Sequence, residues 1–148
     1  MKWDTMDKIN SLISGYSDAG YWKMRFALYR TDLPKLLRCY YLIRCKRMEA
    51  KNGASLGIRL DGETVFSGKP FLPHGIKGIF ITPYAKIGAN CTIQQQSTVG
   101  ERYFGSHVGP RIGDDVFIGV GAGSARNVTA ANVTLHISRR VVNALGAR

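Results

Sequence analysis

Three histidines occur in the chain, and the surroundings of His74 best suit chemistry. It lies between Pro73 and Gly75 in the stretch FLPHGIKGIFI, residues 71–81. A neutral imidazole can take the proton of a hydroxyl and so activate it, which makes His74 a candidate general base. The alternative is a histidine that only satisfies its hydrogen bonds within a turn. The pattern of the surrounding sequence has to decide between the two.

The net charge of the chain indicates that its partner is negatively charged. With 21 basic and 10 acidic residues, the formal charge is +11. Such a charge attracts polyanions, so nucleic acid, an acidic membrane and a phosphate-rich small molecule are the candidates. No recognised nucleic-acid-binding motif accompanies the charge, so we expect no nucleic-acid partner.

Length and hydropathy predict one cytoplasmic domain. The 148 residues suffice for one domain with a short appendage. No apolar run is long enough to span a membrane, and residues 1–14 lack the apolar core of a signal peptide. The cysteines Cys39, Cys45 and Cys91 are odd in number and form no C-x-x-C pair, so we expect reduced, mostly buried thiols.

Residues 1–54 are predicted to form a helical segment. A short helix is expected around Asp4 to Ile13, and a longer one from Leu33, with Thr31 or Asp32 as its N-cap. The apolar positions of the longer helix share one broad face and are Leu36, Leu37, Tyr40, Tyr41 and Met48. Basic and aromatic residues alternate through this segment, which favours contact with an anionic membrane or packing on the first coil or a neighbouring subunit.

Residues 55–137 follow a repeat of six residues. Apolar side chains recur at that spacing in three runs, and several are followed by glycine. The runs are Leu60, Phe66 and Leu72; Ile81, Ile87, Ile93 and Val99; and Ile112 and Ile118. Spacing six is neither the helix period nor plain strand alternation. It is the signature of the hexapeptide-repeat parallel β-helix, in which the repeated side chain points inward.

The repeat is broken twice, and both breaks are predicted walls of a site. Leu72 and Ile81 are nine residues apart, so three extra residues surround His74. Val99 and Ile112 are thirteen apart, so the stretch ERYFGSHVGP must leave the coil as a loop. Binding residues gather in loops that leave a rigid scaffold.

A resemblance to a known family runs through residues 56–122. It is carried by LPHGIKGIFITPYAKIGANCTIQQQSTVG and by GPRIGDDVFIGVGA, which are similar to the serine acetyltransferase branch of hexapeptide-repeat acyltransferases. The likeness is strongest to short members linked to the modification of surface polysaccharides. It implies a mainly-β left-handed parallel β-helix, an acetyl-CoA co-substrate without a metal, and a homotrimer with sites between neighbouring β-helices. It also assigns the role of general base to His74.

Three departures from the family pattern move the expected acceptor away from serine. The aspartate that orients the imidazole in serine acetyltransferases corresponds to Arg59, with Asp61 and Glu63 nearby as replacement and acceptor-binding candidates. The family's second histidine corresponds to Gly109, and His107 is the nearest histidine and a candidate for acceptor binding. The long N-terminal helical domain of those enzymes also does not fit into fifty residues. We therefore expect another hydroxyl, such as that of a sugar.

The later repeats supply the remaining candidate site residues. Basic side chains would meet the phosphates of CoA, and small residues would let its pantetheine arm pack on the backbone. The cofactor candidates are Arg111, Gly119, Gly121, Ala122 and Arg126, and the further acceptor candidates are Gln95 and Gln96, one coil after His74.

The repeat weakens after Ala122. The next inward positions, Ser124 and Ala130, are poor core residues, and NVTAANVTLHI looks like two repeats with one residue lost. An irregular tail is predicted for residues 138–148.

An acetyl-CoA-dependent O-acetyltransferase acting on a sugar or a surface-polysaccharide precursor is therefore expected. Serine O-acetylation in cysteine biosynthesis is the alternative, and a non-catalytic β-helix scaffold is a further one, favoured by the missing aspartate and the irregular last coil. A zinc enzyme of the β-helix carbonic anhydrase type would need three histidines around one metal. His74, His107 and His136 lack the close pair that such a site uses.

Overall fold

Within the described part of the chain, three α-helices precede nine two-residue strands. The computed structural model describes residues 3–59, 65–101, 103, 105, 107–124 and 134–135. The helices are α1 (Trp3–Ser14), α2 (Asp18–Ala27) and α3 (Lys35–Lys51). The strands are β1 (Ser55–Leu56), β2 (Phe80–Ile81), β3 (Lys86–Ile87), β4 (Thr92–Ile93), β5 (Thr98–Val99), β6 (Arg111–Ile112), β7 (Phe117–Ile118), β8 (Gly123–Ser124) and β9 (Thr134–Leu135). None of the described helices is long and apolar enough to cross a membrane.

The strands form three parallel sheets that the chain visits in rotation. Sheet A contains β1, β2, β5 and β8, sheet B contains β3 and β6, and sheet C contains β4, β7 and β9. Bridges from Phe66 to Ile87 and from Phe71 to Thr92 add an earlier layer to sheets B and C. Each strand of one layer thus lies on the corresponding strand of the layer before it. The left-handed β-helix stays a prediction, because strand pairing alone carries no handedness.

Two inward positions in each repeat fill the core. The first is the position with spacing six: Phe66, Ile81, Ile87, Ile93, Val99, Ile112 and Ile118 are each at most 4% exposed. The second lies two residues earlier and holds smaller side chains, namely Ala85, Cys91, Ser97, Val116 and Ala122, each at most 1% exposed. The Ser97 hydroxyl donates to the carbonyl oxygens of Gln94 and Gly119 at 2.7 and 3.0 Å, which makes its burial tolerable. Sequence periodicity identified the first column and missed the second.

The first and last layers depart from simple spacing. Leu56 takes the inward position of sheet A in the first layer, and Leu60 and Ala130, which the repeat predicts to point inward, lie outside the described residues. Ser124 is buried despite its hydroxyl. The pairing of β9 with β7 puts Leu135 in the next inward position of sheet C, eleven residues after Ser124. Two repeats would take twelve residues, so the predicted loss of one residue is confirmed.

The helical segment agrees with its prediction only in part. Helix α1 confirms the predicted short helix, but α2 was not predicted. Helix α2 begins after Ser17, whose hydroxyl oxygen accepts from the backbone N–H of Gly20. Helix α3 begins after Pro34 without a side-chain cap, so the predicted cap was wrong. Asp32 instead pairs with Arg30 on the surface.

The buried face of α3 agrees with the predicted one only at Met48. Cys45, Met48 and Glu49 are buried, whereas Leu36 and Tyr40 are 86% and 53% exposed. The helix turns a carboxylate inward and leaves apolar side chains in solvent. The Glu49 carboxylate faces inward because the buried side chain of Arg25 pairs with it.

A buried arginine joins the helices to the first strand. The Arg25 Nη2 donates to the carbonyl oxygen of Leu56 at 2.6 Å, and its Nη1 donates to the Tyr21 hydroxyl at 3.0 Å. The Glu49 Oε1 accepts from Tyr21 at 2.7 Å and lies 3.7 Å from Arg25 Nη1. The guanidinium also lies 4.9 Å from the ring centroid of Phe66. Because an unpaired buried charge is costly, this network fixes how the helices dock on the strands.

All three cysteines are unpaired, and two of them are buried. Cys45 and Cys91 lie in the interior and Cys39 is exposed. Burial raises the pKa of the Cys45 thiol to about 11. Burial also raises the pKa of Cys91. Both buried thiols are therefore neutral near pH 7, as reduced core cysteines should be.

Replacing Arg25 by alanine should destabilise the protein by up to about 3–5 kcal/mol, because the Leu56 carbonyl loses its donor and Glu49 keeps only the half-exposed Lys46 as a cationic partner. The matched control is Arg30→Ala, which removes an exposed ion pair with Asp32 and should cost only about 0–1 kcal/mol. Urea unfolding of both variants measures the difference. Equal losses would show that the Arg25 network does not hold the helices in place.

Candidate functional site

His74 lies exposed on a turn that the helical segment holds in place. The turn spans residues 73–78, between the last bridge of the first layer and β2. The backbone N–H of Gly78 donates to the carbonyl oxygen of Asn52, just after α3, at 3.0 Å. Ile76 anchors the turn in the core with no exposed surface. The position of His74 therefore depends on the end of α3.

Tyr16 packs against the same turn from the α1–α2 connection. Gly75 has a φ of +65°, and a Cβ at this position would lie 3.2 Å from the Tyr16 ring, so both conformation and space favour glycine. The Tyr16 hydroxyl donates to Asp18 at 3.0 Å. Burial, with the neighbouring Asp18 carboxylate, raises the pKa of Tyr16, so its phenol stays neutral against the turn.

No described residue makes a hydrogen bond or ion pair with the His74 side chain. Arg59, at the position where the sequence resemblance predicts an aspartate, lies with its guanidinium carbon 5.0 Å from the Tyr84 ring centroid. Asp61 and Glu63, the predicted replacements, lie outside the described residues. The described residues thus present an imidazole that is open to solvent on a well-held backbone.

Two later turns stack on the His74 turn and form one corner of the coil. The backbone N–H of Gln96 donates to the carbonyl oxygen of Lys77 at 3.1 Å, and that of Gly121 donates to Gln95 at 3.2 Å. We name this the His74 corner, comprising residues 73–78, 94–96 and 119–121. It brings the predicted base together with Gln95, Gln96, Gly119 and Gly121 on one edge between sheets C and A.

The side chains of this corner differ in their exposure. The Gln95 Oε1 is buried and accepts no hydrogen bond from a described residue. Gln96 is exposed, with a φ of +60°. Gly121 is exposed in its turn, while Gly119 and Ala122 are buried beside it. The corner therefore presents open backbone at Gly121, where an extended ligand arm could pack.

His107 and Arg111 lie at a different corner, between sheets A and B. They line a cavity of about 220 Å³. We name it the basic pocket, and its lining residues are Arg59, Tyr84, Lys86, His107, Val108, Gly109 and Arg111. Within one chain, sheet A separates Arg111 from the other predicted cofactor residues, Gly119 and Gly121. Arg126 lies outside the described residues.

Two contacts hold His107 in a strained backbone conformation. Its Nδ1 lies 2.6 Å from the Tyr84 hydroxyl oxygen, and its backbone N–H donates to Glu101 Oε2 at 3.1 Å. The other oxygen of Glu101 accepts from the Thr82 hydroxyl at 3.3 Å. The φ of His107 is +52°, which few residues with a side chain adopt. Asn90, Gln96 and Asp115 share this left-handed φ, so the contacts of His107 with Tyr84 and Glu101, and not its backbone angle, make the basic pocket a candidate in its own right.

No side chain fits at Gly109, the position where the sequence resemblance predicts a histidine. A Cβ would lie 2.6 Å from the carbonyl oxygen of Tyr84, with the Tyr84 carbonyl carbon and the Ala85 nitrogen closer still. All three obstacles are backbone atoms, which cannot turn aside as a flexible side chain can. The loop backbone therefore presses directly on the turn before β3, and the imidazole of His107 reaches Tyr84 from two residues earlier.

Tyr84 and Lys86 were not among the site residues predicted from the sequence. A signal for Lys86 was present, because Lys86 and Arg111 each precede an inward aliphatic residue of the repeat, and such positions stack when strands pair. Tyr84 carries no periodic signal. Its role depends on backbone contact with Gly109, twenty-five residues later.

Comparison of the chain with protein-family models, with curated proteins and with solved structures found no match. Among the described residues, no group of three or more histidine, cysteine, aspartate and glutamate side chains is arranged to hold a metal ion. The His74 corner and the basic pocket are therefore the features that can indicate a function.

Replacing Gly109 by alanine should destabilise the protein by about 1–3 kcal/mol, because the added methyl group meets backbone that must shift. Gly123→Ala is the matched control, since a Cβ there has no neighbour within 4 Å. That control should be neutral or stabilise by about 0.4–1 kcal/mol through the unfolded chain. Thermal unfolding distinguishes the two. A Gly109→Ala variant as stable as the control would mean that the loop is not pressed against Tyr84.

Proposed function

We propose that this chain is an acetyl-CoA-dependent O-acetyltransferase of the serine acetyltransferase-like, hexapeptide-repeat type, built on a left-handed β-helix. Its acceptor is the hydroxyl of a sugar or a surface-polysaccharide precursor. The His74 corner is the observation that carries the proposal. An exposed imidazole stands there on a turn held by Asn52 and Tyr16, stacked with the turns that contain Gln95 and Gly121.

In the proposed reaction His74 moves the proton. Its neutral imidazole takes the proton of the acceptor hydroxyl as the oxygen attacks, and later gives it to the departing thiolate. Acetyl-CoA supplies the acetyl thioester. A backbone N–H of the His74 corner, or the amide of Gln95, donates to the carbonyl oxygen as negative charge develops on it. Exposed backbone at Gly121 suits the packing of the pantetheine arm.

Two observations favour a sugar over serine as acceptor. Arg59 stands where serine acetyltransferases have the orienting aspartate, and its guanidinium lies over the Tyr84 ring at 5.0 Å. Gly109 leaves no space for the second histidine of those enzymes. The acceptor environment thus differs in both residues that the serine enzymes use beside the base.

A homotrimer is part of the proposal. The His74 corner and the basic pocket lie on either side of sheet A, so one chain does not bring His74 and His107 to a common ligand. A second chain whose basic pocket faces the His74 corner would do so. Sites between neighbouring chains, as the family resemblance implies, agree with this separation.

Replacing His74 by alanine should lower kcat by about 10²–10⁴-fold and leave acetyl-CoA binding intact, because the base acts on the proton and not on the donor. The assay offers acetyl-CoA with serine, simple sugars and nucleotide sugars, and follows CoA release with a thiol reagent. It uses a Cys39→Ser background, because the exposed Cys39 thiol would react with that reagent.

Lys23→Ala is the control for this experiment, since Lys23 is an exposed residue of α2 that belongs neither to the His74 corner nor to the lining of the basic pocket. Its turnover should equal that of the parent. Undiminished turnover in His74→Ala would refute the role of base. A parent protein that neither binds acetyl-CoA nor releases CoA with any acceptor would support the scaffold alternative, and preferred turnover of serine would support serine O-acetylation.

A further inference from the structure

Helix α3 keeps an apolar surface in solvent. Leu36, Tyr40 and Ile43 follow each other at helical spacing and are 86%, 53% and 53% exposed. We name these three residues the α3 stripe. Ile43 precedes the buried Cys45 by two positions, which is a rotation of about 200° around an α-helix, so the stripe lies opposite the buried face. We propose that the α3 stripe docks on an anionic membrane surface.

The packing of α3 in the protein does not use the stripe. Cys45 and Met48, on the buried face, belong to the hydrophobic core. A surface helix of a globular protein usually has apolar residues on its core-facing side and polar residues on the other. Because α3 is apolar on both sides, the protein covers one side and the stripe is available to another partner.

Basic side chains continue the stripe toward the end of the helix. Arg47 follows Ile43 by one helical turn, and Arg44 lies beside that line. The exposed basic residues of α3 that form no ion pair or hydrogen bond with a described residue are Lys35, Arg44, Arg47 and Lys51.

Helix α3, all of which is described, exposes no acidic side chain. Its single carboxylate, Glu49, is buried and paired with Arg25 and Lys46. The exposed surface of the helix therefore combines apolar and basic side chains. Each basic side chain close to an anionic bilayer strengthens binding on the order of fivefold. The charge of this surface thus complements phosphatidylserine and similar headgroups.

The side chains of the stripe suit the interface of a bilayer. Leu36 and Ile43 are aliphatic and can enter the boundary of the acyl chains. Tyr40 joins an apolar ring to a hydroxyl, and such rings prefer the level of the headgroups. Helices with an apolar face and basic neighbours lie in the plane of the interface, buried by about 5–10 Å.

A second copy of this chain fits the stripe less well. Two α3 stripes that faced each other across a twofold axis would bring Arg44 and Arg47 toward the same residues of the other copy. The exposed surface of α3 has no acidic side chain to compensate, and each whole chain carries a formal charge of +11. An anionic bilayer meets the same surface with opposite charge.

Helix α1 offers an internal comparison. Its Leu12 and Ile13 are 84% and 80% exposed, so it also presents apolar side chains to solvent. Its charged residues are Asp4, Asp7 and Lys8, two carboxylates with one cation. If basic residues select the membrane, α3 should dock and α1 should not.

Sedimentation with vesicles of phosphatidylcholine, with and without phosphatidylserine, measures docking. The parent should bind the anionic vesicles far more tightly, and Leu36→Ser/Ile43→Ser should weaken that binding on the order of tenfold. The matched control is Leu12→Ser/Ile13→Ser, which makes the same change on α1 and should bind like the parent. Equal weakening by both variants would contradict docking through α3, and absence of binding by the parent would refute the proposal.

The contribution of charge is measured with a second pair of variants. Arg44→Gln/Arg47→Gln should weaken binding to the anionic vesicles on the order of thirtyfold, since two cations leave the interface. Lys8→Gln/Lys23→Gln removes two exposed lysines from α1 and α2 and should weaken it far less. Equal losses in the two variants would mean that net charge alone attracts the protein, against the proposal.

Tryptophan fluorescence identifies the residue that reaches the bilayer. The chain has two tryptophans, so in a Trp3→Phe background the one that remains is Trp22, which is 3% exposed. Added to this background, Tyr40→Trp should be quenched by vesicles whose acyl chains carry bromine, because the stripe enters the interface. Leu12→Trp should not be quenched. Quenching in Leu12→Trp and not in Tyr40→Trp would assign the contact to α1 instead.

The native mass separates a second copy from a membrane as the partner. Leu36→Ser/Ile43→Ser should have the native mass of the parent, because the stripe is free in solution. A lower native mass in this variant would mean that a second copy covers the stripe, and the proposal would be wrong. These measurements need neither acetyl-CoA nor an acceptor, so they decide the docking of α3 whether or not the chain transfers acetyl groups.

Discussion

The buried guanidinium of Arg25 is the constraint on which the arrangement of this molecule depends. It binds the carbonyl oxygen of Leu56 in the first strand and shares its positive charge with Glu49 of α3. The first strand of a stacked coil has no earlier strand to cover it, and the helices supply that cover. Once α3 is docked, Asn52 receives the Gly78 N–H, and Tyr16 meets Gly75. The position of His74 thus depends on the buried charge of Arg25, which lies on α2.

The sequence predicts the stacked repeat because one inward position needs a large aliphatic side chain in every layer. That requirement is visible as isoleucine and valine at spacing six. The companion position needs only a small side chain, so Ala85, Cys91 and Ser97 serve equally well. Alanine, cysteine and serine share no hydropathy that a pattern could reveal. The sequence pattern therefore predicted one of the two inward positions of each repeat and not the other.

A second limit on prediction from sequence is that some contacts join residues far apart in the chain, as the helices and the basic pocket show. Helix α3 buries Glu49 and exposes Leu36 because Arg25, from another helix, needs the carboxylate. The hydrophobic periodicity of α3 gives no information about a partner such as Arg25 on another helix. The stacking of Lys86 on Arg111 follows from the repeat and was predictable, whereas the contact of Gly109 with Tyr84 closes a loop whose path the repeat does not determine.

The close approach at Gly109 also restricts how this chain could change over generations. A histidine at that position requires more than one substitution, because the backbone of Tyr84 and Ala85 must first move away. The loop must therefore change its path before a larger side chain can replace Gly109. His107 belongs to a loop already committed to the close arrangement, with its imidazole on Tyr84.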